Sequence, residues 1–258
     1  MILAILQARF SSSRLPGKVL QPILGKPMLL HQIERVRHSK MVDKLVVATS
    51  LDPSDDNIEK MCINNNIEVF RGSLDNVLDR FYQCSKHYNP SHIVRLTGDC
   101  PVADWQVIDE TISSHLSTNS DYTSNILPPT YPDGLDVEVA KKSALKEAWE
   151  CAVLPSELEH VMPYIRNNSR FKKFNLENEE DLSEHRWTVD NSEDFEFIER
   201  IYKELYLKNN KFNAHDILKL LEKKPHIKDK NYHIMRNEGA LKSYEEDKEF
   251  LKSPIGDQ

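Results

Sequence analysis

Short apolar runs occupy residues 1–6, 44–49, 68–70 and 92–96, and longer amphipathic stretches separate them. Runs of this length predict strands covered on both faces. The stretches between them predict helices over 28–38, 55–65, 76–86 and 104–117. This alternation predicts an α/β fold with a doubly wound, parallel sheet. Ligands of such sheets bind beyond the carboxyl ends of the strands. Two segments fall there: 7–18 after the first strand and 97–101 after the fourth.

The second half is less regular. The proline-rich stretch 127–134 predicts a loop, and 136–139 a strand. Helices are predicted over 157–167 and 194–207, with a strand over 187–189 before the second. Beyond residue 209 the chain is Lys-rich, helix-prone over 217–224, and then polar. The expected organisation is a main domain over 1–208 and a helical appendage or tail over 209–258.

With 258 residues the chain has room for one large domain and a small appendage. Its 41 acidic residues outnumber 34 basic ones, so no general polyanion surface is implied and nucleic acid is not the expected partner. Cations that bind phosphate must therefore be concentrated locally. Cys62, Cys84, Cys100 and Cys151 form no CxxC pair, which fits a reduced, cytoplasmic setting. The leading apolar run is too short for a signal peptide, and no run reaches the length of a membrane span.

The segment 7–18 holds Arg9, Arg14 and Lys18 with Ser11, Ser12 and Ser13. Hydroxyls, backbone N–H groups, guanidinium forks and an ammonium suit a triphosphate. The segment matches neither GxxxxGK[ST] nor GxGxxG. On spacing alone it reads equally as a solvated basic loop. Thr97-Gly98-Asp99 sets a carboxylate at the sheet edge, as a Mg²⁺ ligand or as the cap of the next helix. Asp190 follows a second β-type run, and Ser192, Glu193 and Asp194 read as a helix start. Asp136 and Glu138 alternate along the expected strand, facing either a sugar's hydroxyls or water. Glu157 and His160 share a helix side, as a ligating pair or a surface ion pair. Arg71 and Arg80 fit a turn and an exposed helix face. Cys100 has no nearby His to make it a nucleophile and reads as a small buried residue.

Taken together, Arg9-x-x-Ser12-x-Arg14-Leu15-Pro16-Gly17-Lys18, Thr97-Gly98-Asp99-Cys100-Pro101, 133–138, Glu159-His160-Val161, Thr188-Val189-Asp190 and the tail run 236–243 resemble the sugar-acid cytidylyltransferases. They are most similar to the branch named after the spore-coat polysaccharide enzyme. The resemblance implies a nucleotide-diphosphosugar transferase fold, Rossmann-like and of GT-A type, with a mixed, mainly parallel sheet flanked by helices. It also implies a homodimer. The implied reaction is Mg²⁺-dependent transfer of CMP from CTP to the anomeric hydroxyl of an acidic sugar, with pyrophosphate leaving, for surface polysaccharide. Arg9, Ser12, Ser13, Arg14 and Lys18 match the triphosphate loop, and Asp99 and Asp190 the two metal-binding carboxylates. Arg71, Arg80, Thr97 and Gly98 fall in the nucleotide-binding region. Asp136, Glu138 and His160 are the expected sugar contacts. Thr97 departs from the octulosonate enzyme, where a Gln helps read the pyrimidine. A sugar 1-phosphate nucleotidyltransferase and a silent nucleotide-binding subunit are the alternatives.

Overall fold

The elements of the first half follow the apolar pattern closely. They are β1 (Ile2–Gln7), the short pair β2 (Pro22–Ile23) and β3 (Lys26–Pro27), α1 (Met28–Val36), β4 (Lys44–Ser50) and α2 (Asp56–Asn64). Then come β5 (Glu68–Gly72), α3 (Val77–Tyr88), β6 (His92–Thr97) and α4 (Trp105–Thr118). The rest comprises β7 (Tyr122–Ser124), β8 (Glu138–Lys141), α5 (Lys142–Cys151), α6 (Pro155–His160), α7 (Pro163–Asn167), β9 (Lys173–Asn175), α8 (Ser192–Leu205), α9 (Ala214–Lys223) and α10 (Glu238–Lys252). This computed structural model describes residues 1–234, 236 and 238–252, with the backbone alone for 238–241. Of the tail run 236–243, Asn237 lies outside the described residues.

Seven strands form one sheet in the order β5-β4-β1-β6-β8-β7-β9. Strands β5, β4, β1 and β6 are parallel, β8 runs antiparallel to β6 and β7, and β9 is parallel to β7. Helices cover both faces, which is why β1 is apolar at every core position. Leu3 and Ile5 pack with Leu78 and Phe81 of α3, while Ala4 and Leu6 pack with Leu29 and Ile33 of α1 and Ile108 of α4. Burying each such side chain stabilises by about 1.5–3 kcal/mol. Phe212, Ile217, Leu221 and Ile227, beyond residue 209, belong to the same core cluster as Ala4 and Leu6. Among the described residues no helix is long and apolar enough to cross a membrane.

Several second-half expectations are corrected. The helix expected over 157–167 is two helices, because Val161 sits at φ 71° and Pro163 starts a new turn. Residues 187–189 form no strand; Arg186 makes a single bridge to Asp133, and the segment then runs against the loop after β6. The strand expected over 136–139 is Glu138–Lys141, so Asp136 precedes it. Short β7 and β9, together with α5 and α10, had no separate signal in the apolar pattern.

Candidate active site

Register brings the first two chemistry-bearing segments together. β1 lies beside β6 with Gln7 opposite Thr97, so the basic loop and Asp99 leave the sheet side by side. Gly98 N–H donates to Gln7 O at 2.8 Å. A Cβ at Gly98 would stand 2.9 Å from that oxygen and 3.1 Å from Ala8 Cβ, so only glycine permits this approach.

The third segment is laid across the same edge. Val189 N–H donates to Asp99 O at 2.8 Å and Trp187 N–H to Asp133 O at 2.6 Å. Gly134, at φ 105°, lies under it, where a Cβ would meet Trp187 C and Thr188 N at 2.6 Å. Asp190 thereby arrives beside Asp99 from across the sequence.

The basic loop turns inward at Gly17, which has φ 71° and lies against the Phe10 ring. Gly17 N–H donates to Phe10 O, and Phe10 N–H donates to the buried Asp55 at 2.6 Å. Lys18 is consequently buried. Its Nζ donates to Val189 O at 2.7 Å and Asp190 Oδ1 at 3.0 Å, with Asp99 Oδ2 3.6 Å away. Arg14 Nη2 reaches the same Asp190 oxygen at 2.9 Å. Burial works against charge on Asp190, yet Lys18, Arg14 and Arg186 hold its carboxyl below the ordinary range.

Arg186 organises the floor. Its Nε donates to Asp194 Oδ1 and its Nη2 to Asp194 Oδ2, both at 2.9 Å. Nη1 reaches Asp133 Oδ2 and Nη2 reaches Asp190 Oδ2, both at 3.1 Å. Asp194 also accepts from the N–H groups of Asp190 and Asn191, so one buried carboxylate caps α8 and fixes Asp190. The capping reading of Asp194 was correct but incomplete. Arg186 carried no sequence signal, because 186–194 is not one helix and its partners share no periodicity. Asp133 lies in the stretch expected as a loop and in the resembling run 133–138, neither of which marks it as a partner of Arg186.

The expected sugar contacts lie on the antiparallel side. Asp136 Oδ1 accepts from Arg236 Nη2 at 2.7 Å. Glu138 faces neither sugar nor water freely: it is 3% exposed, paired with Arg95, and accepts from Tyr122 OH at 2.6 Å. Arg95 also donates to Gln7 at 3.2 Å, tying this group to the end of β1. His160 Nε2 lies 3.0 Å from Ser243 Oγ, and burial lowers its pKa. The capping box in α6 uses Glu157, whose carboxylate accepts from Val153 and Leu154 N–H, so Glu157 and His160 form no ligating pair.

The remaining expectations divide. Arg9 leaves the loop toward Glu159 at 3.7 Å. Ser12 Oγ closes the loop on Leu15 N–H at 3.5 Å, while Ser13 stands exposed on it. Arg71 is committed locally, to Asp56 and Glu59 at 2.8 Å and to the carbonyls of Ser50 and Asp52. Arg80 is buried rather than on an exposed face, and burial lowers it to about 10. Thr97 gives its carbonyl to Gln32. Burial pushes the Cys100 thiol up, in keeping with a small buried residue.

A family model described as cytidylyltransferase matches residues 3–224. The chain belongs to the cytidylyltransferase family. The spore coat polysaccharide biosynthesis protein SpsF of Bacillus subtilis is 38% identical over 232 residues, covering 87% of this chain and 95% of that protein. A 3-deoxy-manno-octulosonate cytidylyltransferase of Geobacter sulfurreducens is 35% identical over 114 residues, 43% of this chain and 44% of its own. The solved structure of a cytidylyltransferase from Leptospira borgpetersenii superposes with a TM-score of 0.84 at 33% identity, over 88% of this chain and 96% of that one. This cytidylyltransferase therefore lies in the SpsF-like branch, with the Rossmann-like nucleotidyltransferase fold that the resemblance implied. Arg14, Lys18, Asp99 and Asp190 all fall within the matched span, whereas Arg236 and Ser243 lie beyond it.

Proposed function

We propose that this cytidylyltransferase joins CMP from CTP to the anomeric hydroxyl of an acidic sugar, an ulosonic acid destined for surface polysaccharide. The observation that carries the reading is the single ammonium of Lys18 shared by Asp190 at 3.0 Å and Asp99 at 3.6 Å. Two carboxylates that face one cation can also face a metal. Both are hard oxygen donors. That donor set fits Mg²⁺, which takes one or two protein carboxylates and leaves positions for phosphate and water. Asp99 and Asp190 would hold it. Bound there, Mg²⁺ would supply Lewis-acid polarisation of the phosphate and of the attacking hydroxyl.

The chain's own groups do the rest. The sugar hydroxyl attacks the α-phosphorus, its proton passes to solvent water, and the bond between the α-phosphorus and pyrophosphate breaks, so that pyrophosphate leaves. Such transfers need in-line positioning and charge neutralisation more than covalent help. Arg14 and Lys18 offset charge building on the departing pyrophosphate. Arg186 and Asp194 keep Asp190 in place without touching substrate.

The test is a matrix of nucleoside triphosphates against sugar acids and hexose 1-phosphates, read by pyrophosphate release with and without a Mg²⁺ chelator. CTP with a 2-keto-3-deoxy sugar acid is expected to give release that the chelator abolishes, and Asp99→Ala and Asp190→Ala are expected to lose it. Release with hexose 1-phosphates alone would refute the acidic-sugar acceptor.

A further inference from the structure

The segment beyond the family match returns to the site. α10 is seated on α6 and α7 by polar contacts. Asp247 accepts from Ser156 N–H at 2.9 Å and from Ser156 Oγ at 2.5 Å. Ser243 Oγ donates to Glu159 at 2.8 Å, and Arg166 donates to Tyr244 OH at 2.6 Å. Glu159 in turn meets Arg9 of the basic loop. This docking delivers Arg236 to the antiparallel side of the cluster. There its Nη2 donates to Asp136 Oδ1 at 2.7 Å and its Nη1 to Tyr131 O at 3.1 Å, with Nε 4.0 Å from Asp133.

We propose that Arg236 is a specificity-determining residue on the acceptor side, its guanidinium taking the carboxylate of the acidic sugar in place of Asp136. This rests on the acidic-sugar reading above. Asp136 lies within reach of the charges of Asp133, Glu138 and Asp99, and Asp133 within reach of those of Asp99 and Asp190. An anionic acceptor is repelled there unless a cation receives it. The other cations named in the site are engaged elsewhere: Lys18 and Arg14 by Asp190 and, in the reading above, by pyrophosphate, Arg9 by Glu159, Arg95 by buried Glu138, and Arg186 by three carboxylates. Arg236 has one close carboxylate, and that one is replaceable. Burial pushes Asp136 up to about 7, so on losing the guanidinium it readily takes up a proton from solvent. A planar guanidinium matches a carboxylate in bidentate fashion, which a Lys does not.

The experiment uses the full chain with Arg236→Ala and Arg236→Lys, CTP, and the sugar acid that wild type turns over best. Arg236→Ala is expected to raise the acceptor KM about 10- to 100-fold, the loss of a charge-assisted hydrogen-bond pair. The KM for CTP should stay within about twofold. Arg236→Lys keeps the charge and should recover part of the loss. It carries the test alone if the Ala variant is insoluble. An unchanged acceptor KM in a folded variant, or an equal rise in the KM for CTP, overturns the assignment while leaving the acidic-sugar reading intact. Wild-type turnover of hexose 1-phosphates alone overturns both.

Discussion

Lys18 Nζ stands 3.0 Å from Asp190 Oδ1, although 172 residues separate the two in sequence. The contact is made possible by Gly17 turning the basic loop inward and by Asp194 and Arg186 holding Asp190 from behind. A buried ammonium between two carboxylates defines where positive charge is wanted in this site.

Replacing Lys18 with Met keeps the stem's bulk and removes that charge. The rate of pyrophosphate release at saturating CTP is expected to fall about 100- to 1,000-fold, as when one preorganised charge donor is lost. A change of less than about threefold would take Lys18 out of the mechanism.

Asp194 is fully buried and holds Arg186 through two hydrogen bonds. Asp194→Asn should lower unfolding free energy by about 1.5–3 kcal/mol, because charge-assisted hydrogen bonds are lost while Asp133 and Asp190 still partner Arg186. Chemical denaturation measures this. A loss below about 1 kcal/mol would mean that Asp133 and Asp190 alone satisfy the guanidinium.

Gly134 and Gly25 both have positive φ, but only Gly134 has backbone at 2.6 Å from where a Cβ would sit; Gly25 has nothing within 4 Å. Gly25→Ala should cost the left-handed strain alone, about 1–2 kcal/mol. Gly134→Ala adds overpacking of about 1–3 kcal/mol and displaces 187–190. Thermal melts of the pair separate the terms, and equal losses would contradict the close approach.

Asp136 gives a pH signature. Burial raises its carboxyl to about 7 against the pull of Arg236, whereas its unfolded value is about 3.9. The folded chain therefore holds this proton more tightly. The associated stability is complete below about pH 4 and is lost as pH rises through about 7. Relative to wild type, Asp136→Asn should gain stability across that window in denaturant titrations at several pH values. A difference that stays flat or shrinks with rising pH counts against the shift.

The parallel half of the sheet was legible because strands buried on both faces need apolar residues throughout, as 1–6 and 92–96 display. The basic loop and Asp99 were legible for a related reason: they follow such strands and so must lie at the carboxyl edge. The antiparallel half was harder to read. β7 and β9 are three residues long each, too short for a period to show. The break at Val161 depends on a single φ that no composition rule demands.

By itself, the sequence determined the layered α/β framework, the loop that concentrates positive charge, and the two aspartates, because periodicity and short motifs are local properties. Tertiary structure alone decided that Lys18 lies between those aspartates, that Arg186 gathers Asp133, Asp190 and Asp194, that Glu138 is buried, and that Arg236 returns to Asp136. Those pairings join residues far apart in the chain. Burial enforces them, since a charge withdrawn from water must find its partner wherever the fold has placed one.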